Sequence, residues 1–260
     1  MATISKLIEN DVTGGNKIEK QFYDTEARYD LHALIYDGRL NLAKALAERF
    51  AFRGNVLEMG SGHSWLTAEI SKLPGVQSSW CLDLSDYLLK EAAPQVFRML
   101  GANEEKITRV VSSFYHVPCP DQFFDYVIFE SSFHHVPDYA ALFAELKRIL
   151  KPDGIVICTR ERVVKEGKCE SEAHFLDNKK SGILERIFTI SEYRFLAELN
   201  HFHFTTEPFF WYPSEKKQFK HMVKMLFSKL PGPIHKRLAK RFNSQIFIMR
   251  KKAFDVIAPS

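Results

Sequence analysis

The chain has 260 residues, of which 45% are hydrophobic and 26% are charged, and its formal net charge is +4. These values are typical of a soluble globular chain that is long enough for one large core. The polar start of the chain argues against a signal peptide, and no apolar stretch approaches the roughly 20 residues of a membrane span, so we expect a cytoplasmic protein.

Apolar periodicity predicts strands that alternate with helices along the chain. After a helical N-terminal region, we expect strands at 55–59, 77–83, 108–112, 124–130 and 154–159, with helices at 64–73, 86–100 and 138–150. Asp138 is the expected N-cap of the last of these helices. A helix at 191–199, strands at 202–210 and 245–249, and cationic helices within 215–241 should follow. Alternating strands and helices predict a parallel sheet with right-handed crossovers.

A glycine turn follows the first core strand. The segment Glu58-Met59-Gly60-Ser61-Gly62 ends the apolar run Val56-Leu57, and Asp83 ends the next strand 21 residues after Gly62. Glycines let the backbone approach a ligand where a Cβ would collide. A strand, a glycine turn, a helix and then an acid on the next strand is how α/β sheets hold a nucleoside cofactor. We therefore expect Asp83 to accept hydrogen bonds from both ribose hydroxyls.

Positions 58 and 65 indicate which cofactor this is. A dinucleotide fingerprint has a third glycine at position 65, where helix and strand pack closely, but this chain has Trp65. The carboxylate of Glu58 has the wrong sign for a pyrophosphate. It suits a cofactor with a positive end, and S-adenosylmethionine carries an ammonium and a sulfonium. The pattern therefore favours S-adenosylmethionine.

With these motifs the chain resembles the class I S-adenosylmethionine-dependent methyltransferases, in the group that includes the ubiquinone and menaquinone methylases. The resemblance covers roughly residues 20 to 160, and its motifs are Val56–Gly62, Cys81–Ser85, Phe124–Ile128, Phe133–Asp138 and Leu150–Gly154. It implies an α/β, Rossmann-like fold: a mostly parallel seven-stranded sheet with helices on both faces and a helical C-terminal cover. It also implies a single domain over 1–260, with lid helices in 1–50, a cofactor-binding core in 51–160 and an acceptor-binding and cover region in 161–260.

The resemblance further implies which residues hold the cofactor. Glu58, Gly60 and Gly62 would surround the methionine moiety and Asp83 would hold the ribose; the other candidates are Tyr29 of the lid, Ser61, Leu84, Ser113, Phe114 and Glu130. Two departures from the family pattern stand out. Ser64 replaces the usual third glycine of the turn, and Ser113 replaces the acid that usually meets the adenine amino group. Serine can accept one hydrogen bond there without charge assistance. Phe114 is either a stacking partner for adenine or a core aromatic.

The residues just past strand 124–130 carry the candidate chemistry. Ligands of open α/β sheets bind beyond the carboxyl ends of the strands, so 130–135 should line the cleft. Histidine titrates near neutrality, which makes His134 or His135 a candidate general base for an alcohol or phenol proton. Alternatively, the pair structures the turn into the next helix. Glu130 either contacts the cofactor or anchors the structure.

The region after residue 160 should bind the acceptor. Basic residues greatly outnumber acids from Lys216 onward. This predicts either a solvated helix face or a patch for phosphate-bearing substrates or a membrane surface. The aromatic run 209–212 is either a wall of the acceptor pocket or part of the core.

Other kinds of site have less support. Cys81, Cys119, Cys158 and Cys169 lack metal-ligand spacing and no acid cluster is visible, so we predict reduced thiols and no metal site. No Asn-Pro-Pro-Tyr or Asp-Pro-Pro-Tyr follows strand 124–130, which argues against nucleic-acid bases as acceptors.

Two hypotheses remain from the sequence. The leading one is transfer of a methyl group from S-adenosylmethionine to a small-molecule acceptor, at a hydroxyl or another group, with a sugar, a lipid-linked precursor or an aromatic compound as the acceptor. The alternative is a catalytically weak or inactive S-adenosylmethionine-binding module with a regulatory or assembly role.

Overall fold

The computed structural model describes residues 5–10, 17–25, 40–164, 186–208 and 245–252. Its strands are β1 (Lys6–Glu9), β2 (Gly54–Met59), β3 (Val76–Asp83), β4 (Ile107–Val111), β5 (Phe124–Glu130), β6 (Leu150–Thr159), β7 (Phe202–Pro208) and β8 (Gln245–Lys251). Its α-helices are α1 (Lys17–Thr25), α2 (Leu40–Phe50), α3 (Trp65–Ser71), α4 (Ala93–Leu100), α5 (Tyr139–Ile149) and α6 (Ile190–Leu199). A π-helical turn, Leu88–Ala92, leads into α4, and a 3-10 turn, Phe133–His135, precedes α5.

The strands form one sheet in the order β1-β4-β3-β2-β5-β6-β8-β7. Every pair from β1 to β6 is parallel, whereas β8 runs antiparallel to both β6 and β7. The predicted α/β architecture with a mostly parallel sheet is confirmed. β8 is inserted between β6 and β7, which explains why all four residues 246–249 are buried although their sequence alternates only weakly.

The sheet has one strand more than the expected seven. Residues 6–9, expected to belong to the lid helices, form the edge strand β1 and pair with Thr108–Val111 of β4. Leu7 packs toward the cluster under α4, and Ile8 packs toward the core on the opposite face. This alternation is what a strand requires, but four residues are too short a segment to reveal it in the sequence.

Helices cover both faces of the sheet. α5 and α6 pack on one face, against inward side chains such as Leu57 and Val127, while α2 and α3 pack on the other, against Val56 and Ile128. Asp138 caps α5 as predicted, because its carboxylate accepts the Ala141 N–H at 3.1 Å. The two cores fix the strands, and the strands fix the turns that leave them.

The carboxyl ends of β2 to β6 lie at the same edge of the sheet, because these strands are parallel. β7 runs in the same direction as β6, so it also ends at this edge, where Pro208 pairs with Gln245. The turns after β2, β3, β4, β5 and β6 therefore converge there. We call this the carboxyl edge.

Candidate functional site at the carboxyl edge

The glycine turn after β2 is packed on one side and open on the other. Gly60 has a φ of +69°, and a Cβ built there would lie 2.6 Å from the Cβ of Ser132 and 3.2 Å from the Cζ of Phe114. Gly62 has a φ of +52°, but a Cβ built on it would have no atom within 4 Å. Both backbones need the left-handed region that glycine adopts without strain. Ser132 and Phe114 thus pack against the turn at Gly60, whereas the side of the turn at Gly62 stays accessible.

Ser64 adopts the conformation that a glycine would have at this position. Its φ is +57°, and it is the N-cap of α3. Its hydroxyl donates to the Oγ of Ser61 at 3.0 Å, and both side chains are buried. The replacement of glycine by serine, a departure from the family pattern, therefore leaves the shape of the turn intact.

Glu58 is buried beneath the turn. Its Oε2 accepts the backbone N–H of Thr67 at 2.9 Å and the Thr67 hydroxyl at 2.5 Å, in the first turn of α3. Burial raises the pKa of Glu58 to about 8; the Thr67 hydroxyl lowers this pKa, while repulsion from Glu130 and Asp83 raises it further. A cation placed here would favour the ionised carboxylate. The expected contact of Glu58 with the methionine moiety stays a prediction.

Asp83 joins the first two turns of the edge. One carboxylate oxygen accepts the Gly62 N–H at 2.8 Å and the other accepts the Ser85 N–H at 3.0 Å. A carboxylate oxygen has two lone pairs, so a single backbone N–H does not saturate either oxygen. The carboxylate and the neighbouring Leu84 are only partly buried. This geometry is compatible with the predicted contact to a ribose.

Helix α1, which we predicted to be part of a lid, is anchored at the same turn. The carboxylate of Asp24 accepts the Ser85 hydroxyl at 2.6 Å and the Tyr87 N–H at 3.2 Å. Lys20 forms an ion pair with Asp86 at 2.8 Å. These contacts bring the N-terminal region next to the Asp83 turn, as a lid requires. Tyr29, the lid residue predicted to contact the cofactor, lies outside the described residues.

The turn after β4 brings Phe114 to the glycine turn. Its ring contacts Phe129 edge to face, with a centroid distance of 5.9 Å, in addition to lying close to Gly60. Ser113 is buried, and its Oγ lies 3.3 Å from the Nδ1 of His116. His116 is therefore the neighbour that would compete with an adenine amino group for the serine oxygen.

The carboxyl ends of β5 and β6 are joined by an ion pair and a backbone hydrogen bond. Glu130 is buried and forms an ion pair with Arg160 at 2.7 Å. Ser131 and Arg160 both have positive φ values, of 56° and 57°, and the Ser131 N–H donates to Thr159 O at 2.9 Å. Non-glycine residues with a positive φ are strained, and they cluster at functional sites where the surrounding structure holds them in place. The Arg160 contact supports the anchoring role for Glu130 and leaves its contact with the cofactor a prediction.

His134 is buried against a carboxylate. Its Nδ1 lies 2.7 Å from the Oε2 of Glu161, and the two side chains are 2% and 1% exposed. The Glu161 carboxylate also accepts backbone N–H groups of residues 132, 133 and 134, at 3.1 to 3.2 Å. His135 is half-buried, with its ring centroid 4.3 Å from that of His134. The structure thus distinguishes the two candidate bases, because a buried carboxylate partner is shown for His134.

Three residues without an individually predicted role also build this site. Ser132 donates its hydroxyl to Met59 O at 2.6 Å and so joins the β5 turn to the end of β2. Thr67 holds Glu58, and Glu161 holds the 132–134 turn. Glu161 could have been found, because it lies two residues after the end of the parallel strand β6, and Glu130 lies at the end of β5. Thr67 carried no signal beyond being a polar residue in an apolar helix face.

Other features of the described residues do not form a site. Burial raises the pKa of the Cys119 thiol to about 11 and that of Cys81 to about 12, so neither is a thiolate near neutral pH. Within the described ranges, no three His, Cys, Asp or Glu side chains are grouped as metal ligands. No helix in those ranges has the length and apolar character needed to cross a membrane. Cys169, the aromatic run 209–212 and the cationic segment 215–241 lie outside the described residues.

Part of the chain is similar to known methyltransferases. Residues 57–158 match the family model of the methyltransferase domain. Demethylmenaquinone methyltransferase of Geobacillus stearothermophilus is 26% identical over 147 residues, which are 55% of this chain and 62% of that relative. The chain thus spans less than two thirds of this relative.

Two solved structures share the fold. Phosphoethanolamine N-methyltransferase 2 of Haemonchus contortus, in complex with S-adenosyl-L-methionine, aligns over 90% of this chain and 60% of its own, with a TM-score of 0.62 and 18% identity. Geranyl diphosphate C-methyltransferase of Streptomyces coelicolor, in complex with Mg²⁺, geranyl diphosphate and S-adenosyl-L-homocysteine, aligns over 94% of this chain and 100% of its own, with a TM-score of 0.63 and 14% identity.

Proposed function

We propose that the protein transfers a methyl group from S-adenosylmethionine to a hydroxyl group of a small molecule, with His134 as general base; the match of residues 57–158 to the methyltransferase-domain family model supports this proposal. When bound, the cofactor supplies the methyl group: the acceptor oxygen bonds to it as the carbon–sulfur bond breaks, and that bond's electron pair stays on sulfur. The hydroxyl proton passes to the Nε2 of His134. The imidazole later releases the proton to solvent.

One contact carries this proposal. Ser132 lies against Gly60 and donates its hydroxyl to Met59 O, so the turn that bears His134 is fixed against the turn that follows Glu58. A base and a cofactor cradle must be held in a fixed relation for an in-line transfer. The hydrogen bond of Ser132 joins the two turns directly and so contributes to this fixed relation.

The residues at the edge fit the chemistry of S-adenosylmethionine. Glu58 offers a carboxylate whose neighbours Glu130 and Asp83 are also acids, which favours a ligand with a cationic end. Asp83 would hold the ribose hydroxyls through its carboxylate, which lies next to the accessible face of Gly62. Ser113 and Phe114 would contact the adenine, with less charge assistance than an acid would give.

The acceptor is proposed to be a small molecule held by the region after residue 160. By their names, the structural neighbours act on phosphoethanolamine and on geranyl diphosphate, and the sequence relative acts on demethylmenaquinone. These are compounds of low molecular weight that are phosphorylated or lipid-linked. If the basic region from Lys216 onward binds such groups or a membrane surface, association should weaken sharply with added salt.

Calorimetry with S-adenosylmethionine tests the first half of the proposal, and mass spectrometry tests the second. The protein is incubated with a cell extract and with cofactor labelled in its methyl group, and labelled small molecules are identified. The expected result is saturable cofactor binding and a labelled product with the methyl group on oxygen. Absence of binding would refute the proposal, whereas binding without any labelled product would favour the alternative of a binding module.

A further inference from the structure

The carboxylate of Glu161 accepts hydrogen bonds from the turn that carries His134. Three backbone N–H groups of the 132–134 turn and the Nδ1 of His134 all lie within 3.2 Å of its two oxygens. Several backbone donors favour the ionised form of a carboxyl group, and an ionised carboxylate can only accept hydrogen bonds. The Nδ1 of His134 must therefore be the donor in this pair.

A proton on Nδ1 determines what the other ring nitrogen does. In neutral imidazole one nitrogen is a donor and the other is an acceptor. With Nδ1–H directed to Glu161, the lone pair is on Nε2, which is the state a general base needs. When the ring takes a proton, the adjacent carboxylate stabilises the positive charge, and this stabilisation is large in a buried pair.

We propose that Glu161 is the positioning residue of this site: it holds His134 in the Nδ1–H tautomer and at the same time builds the turn that points this ring at the acceptor. This inference rests on the proposed function. The inference extends the proposed function, because it assigns a role to Glu161. This residue lies outside the matched range, 57–158, at the start of the region proposed to bind the acceptor. The proton of the acceptor hydroxyl moves to Nε2 and goes no further until solvent receives it.

The surroundings of the pair leave few groups able to titrate with it. Burial raises the pKa of the Tyr139 and Tyr193 hydroxyls and of the Cys158 thiol far above neutrality. Arg186 donates its backbone N–H to His134 O at 2.7 Å and stays cationic at any relevant pH. His135 is the described neighbour whose side chain belongs to a type that titrates near neutrality.

The experiment compares the wild type with Glu161→Gln, and with Glu161→Asp as a variant that keeps the charge. The first readout is independent of turnover: nitrogen-15 NMR of the histidine rings shows which ring nitrogen is protonated, and His134→Gln and His135→Ala identify the two signals. We expect the Nδ1–H tautomer for His134 in the wild type and in Glu161→Asp. In Glu161→Gln we expect a mixture or the other tautomer. An Nε2–H tautomer in the wild type, or no change in Glu161→Gln, would overturn the proposal.

The second readout uses labelled methyl transfer into the small-molecule fraction of a cell extract. We expect kcat of Glu161→Gln to fall by about 10²- to 10⁴-fold, with little change in KM. The pH at which kcat drops on the acid side should also move to lower pH, because loss of the carboxylate disfavours the protonated ring. Glu161→Asp should recover part of the rate. Equal rates and equal pH profiles in the wild type and Glu161→Gln would refute the positioning role.

Failure of the two proposals can be told apart. If the wild type transfers no label, the proposed function fails, and the tautomer measurement alone decides whether Glu161 governs His134. Cofactor affinity and the melting temperature of each variant show whether it folds. If Glu161→Gln does not fold, Glu161→Asp and the wild-type tautomer still decide the question.

Discussion

A glycine with a positive φ lies at each end of strand β2, and the two glycines have different surroundings. At the start, Gly54 has a φ of +70°, and a Cβ built there would lie 2.1 Å from the Oδ2 of Asp125. After the last residue, Gly60 has a φ of +69° and is packed under Ser132. At both ends the glycine lets a polar side chain approach the β2 backbone. This side chain is Asp125 of β5 at the start and Ser132 of the turn after β5 at the end, and the two contacts help to fix the register of the central strands.

The difference between the two ends is electrostatic. The carboxylate of Asp125 accepts the Asn55 N–H at 2.8 Å and forms an ion pair with Lys151 at 2.7 Å, both in a partly exposed setting. The carboxylate of Glu58 is buried, receives only the Thr67 donors in the hydrogen bonds described, and is repelled by Glu130 and Asp83. A carboxylate neutralised by its own lysine stabilises a fold, whereas one with acidic neighbours and a raised pKa is suited to a cationic ligand.

The largest expected effect is a loss of cofactor affinity in Gly60→Ala that Gly54→Ala does not show. Gly60→Ala puts a side chain into a left-handed backbone and against Ser132, which costs about 1–3 kcal/mol. If the turn shifts to relieve this strain, S-adenosylmethionine binding should weaken by about 10- to 100-fold. Gly54→Ala should destabilise the protein to a similar extent and leave cofactor affinity unchanged, because Asp125 is remote from the site. Calorimetry and thermal unfolding of both variants provide the measurement; equal cofactor affinity in both would contradict the assignment of the edges.

A carboxylate-to-amide change should give the next largest effect. Asp83→Asn retains the shape of the side chain but removes the charge that assists hydrogen bonds to the ribose hydroxyls, so cofactor affinity should fall by about tenfold. The matched control is Asp125→Asn at the opposite edge. It should lower the free energy of unfolding by about 1 kcal/mol through the weakened Asn55 bond, with no loss of affinity. A larger affinity loss in Asp125→Asn than in Asp83→Asn would reverse the comparison.

The raised pKa of Glu58 predicts how cofactor affinity depends on pH. The ionised carboxylate attracts a cation and the protonated one does not, so affinity should increase severalfold between pH 6.5 and 8.5, across the pKa of about 8. Without ligand, the same group should lower stability as pH increases from its ordinary value near 4.5 to about 8, because the buried acid folds best when protonated. Glu58→Gln should remove both dependences.

Glu69→Gln is the control for this pH series, since Glu69 lies on the same helix α3 and pairs with Lys72. It should keep the wild-type pH profile of cofactor affinity. Calorimetry at pH 6.5, 7.5 and 8.5 measures the profile for all three proteins. A profile that persists in Glu58→Gln would show that another group is responsible.

Local signals in the sequence predict the part of the fold that depends on neighbours in the chain. Helix α5 follows from its apolar periodicity, and its N-cap Asp138 is confirmed by the bond from Ala141. The helix and its cap depend on residues within a few positions of each other, so the local sequence is enough to predict them.

Long-range partners could not be predicted in this way. β1 pairs with β4 across about 100 residues, and its four residues carry too little pattern to identify it. His134 was predicted because it follows a strand, but its partner Glu161 is 27 residues away, across a helix and another strand. Glu58 was predicted as an anion facing a ligand, whereas its bond to Thr67 depends on how α3 packs. Strand ends indicate where a site lies, and only tertiary packing indicates which side chains meet there.

The smallest expected effect concerns the hydroxyls that tie β2 to its neighbours. Ser132→Ala removes the bond to Met59 O at the carboxyl edge, and Ser78→Ala removes the bond to the Oδ1 of Asn55 at the other end of β2. Each should lower the free energy of unfolding by about 0.5–1.5 kcal/mol. Only Ser132→Ala should also slow methyl transfer, because the turn that holds His134 loses its tie to the turn that holds the cofactor. Thermal unfolding and label-transfer rates of the two variants measure this difference. Equal rates in both would mean that backbone packing of Gly60 under residue 132 suffices to align the two turns, and the proposed role of the hydroxyl would then be abandoned.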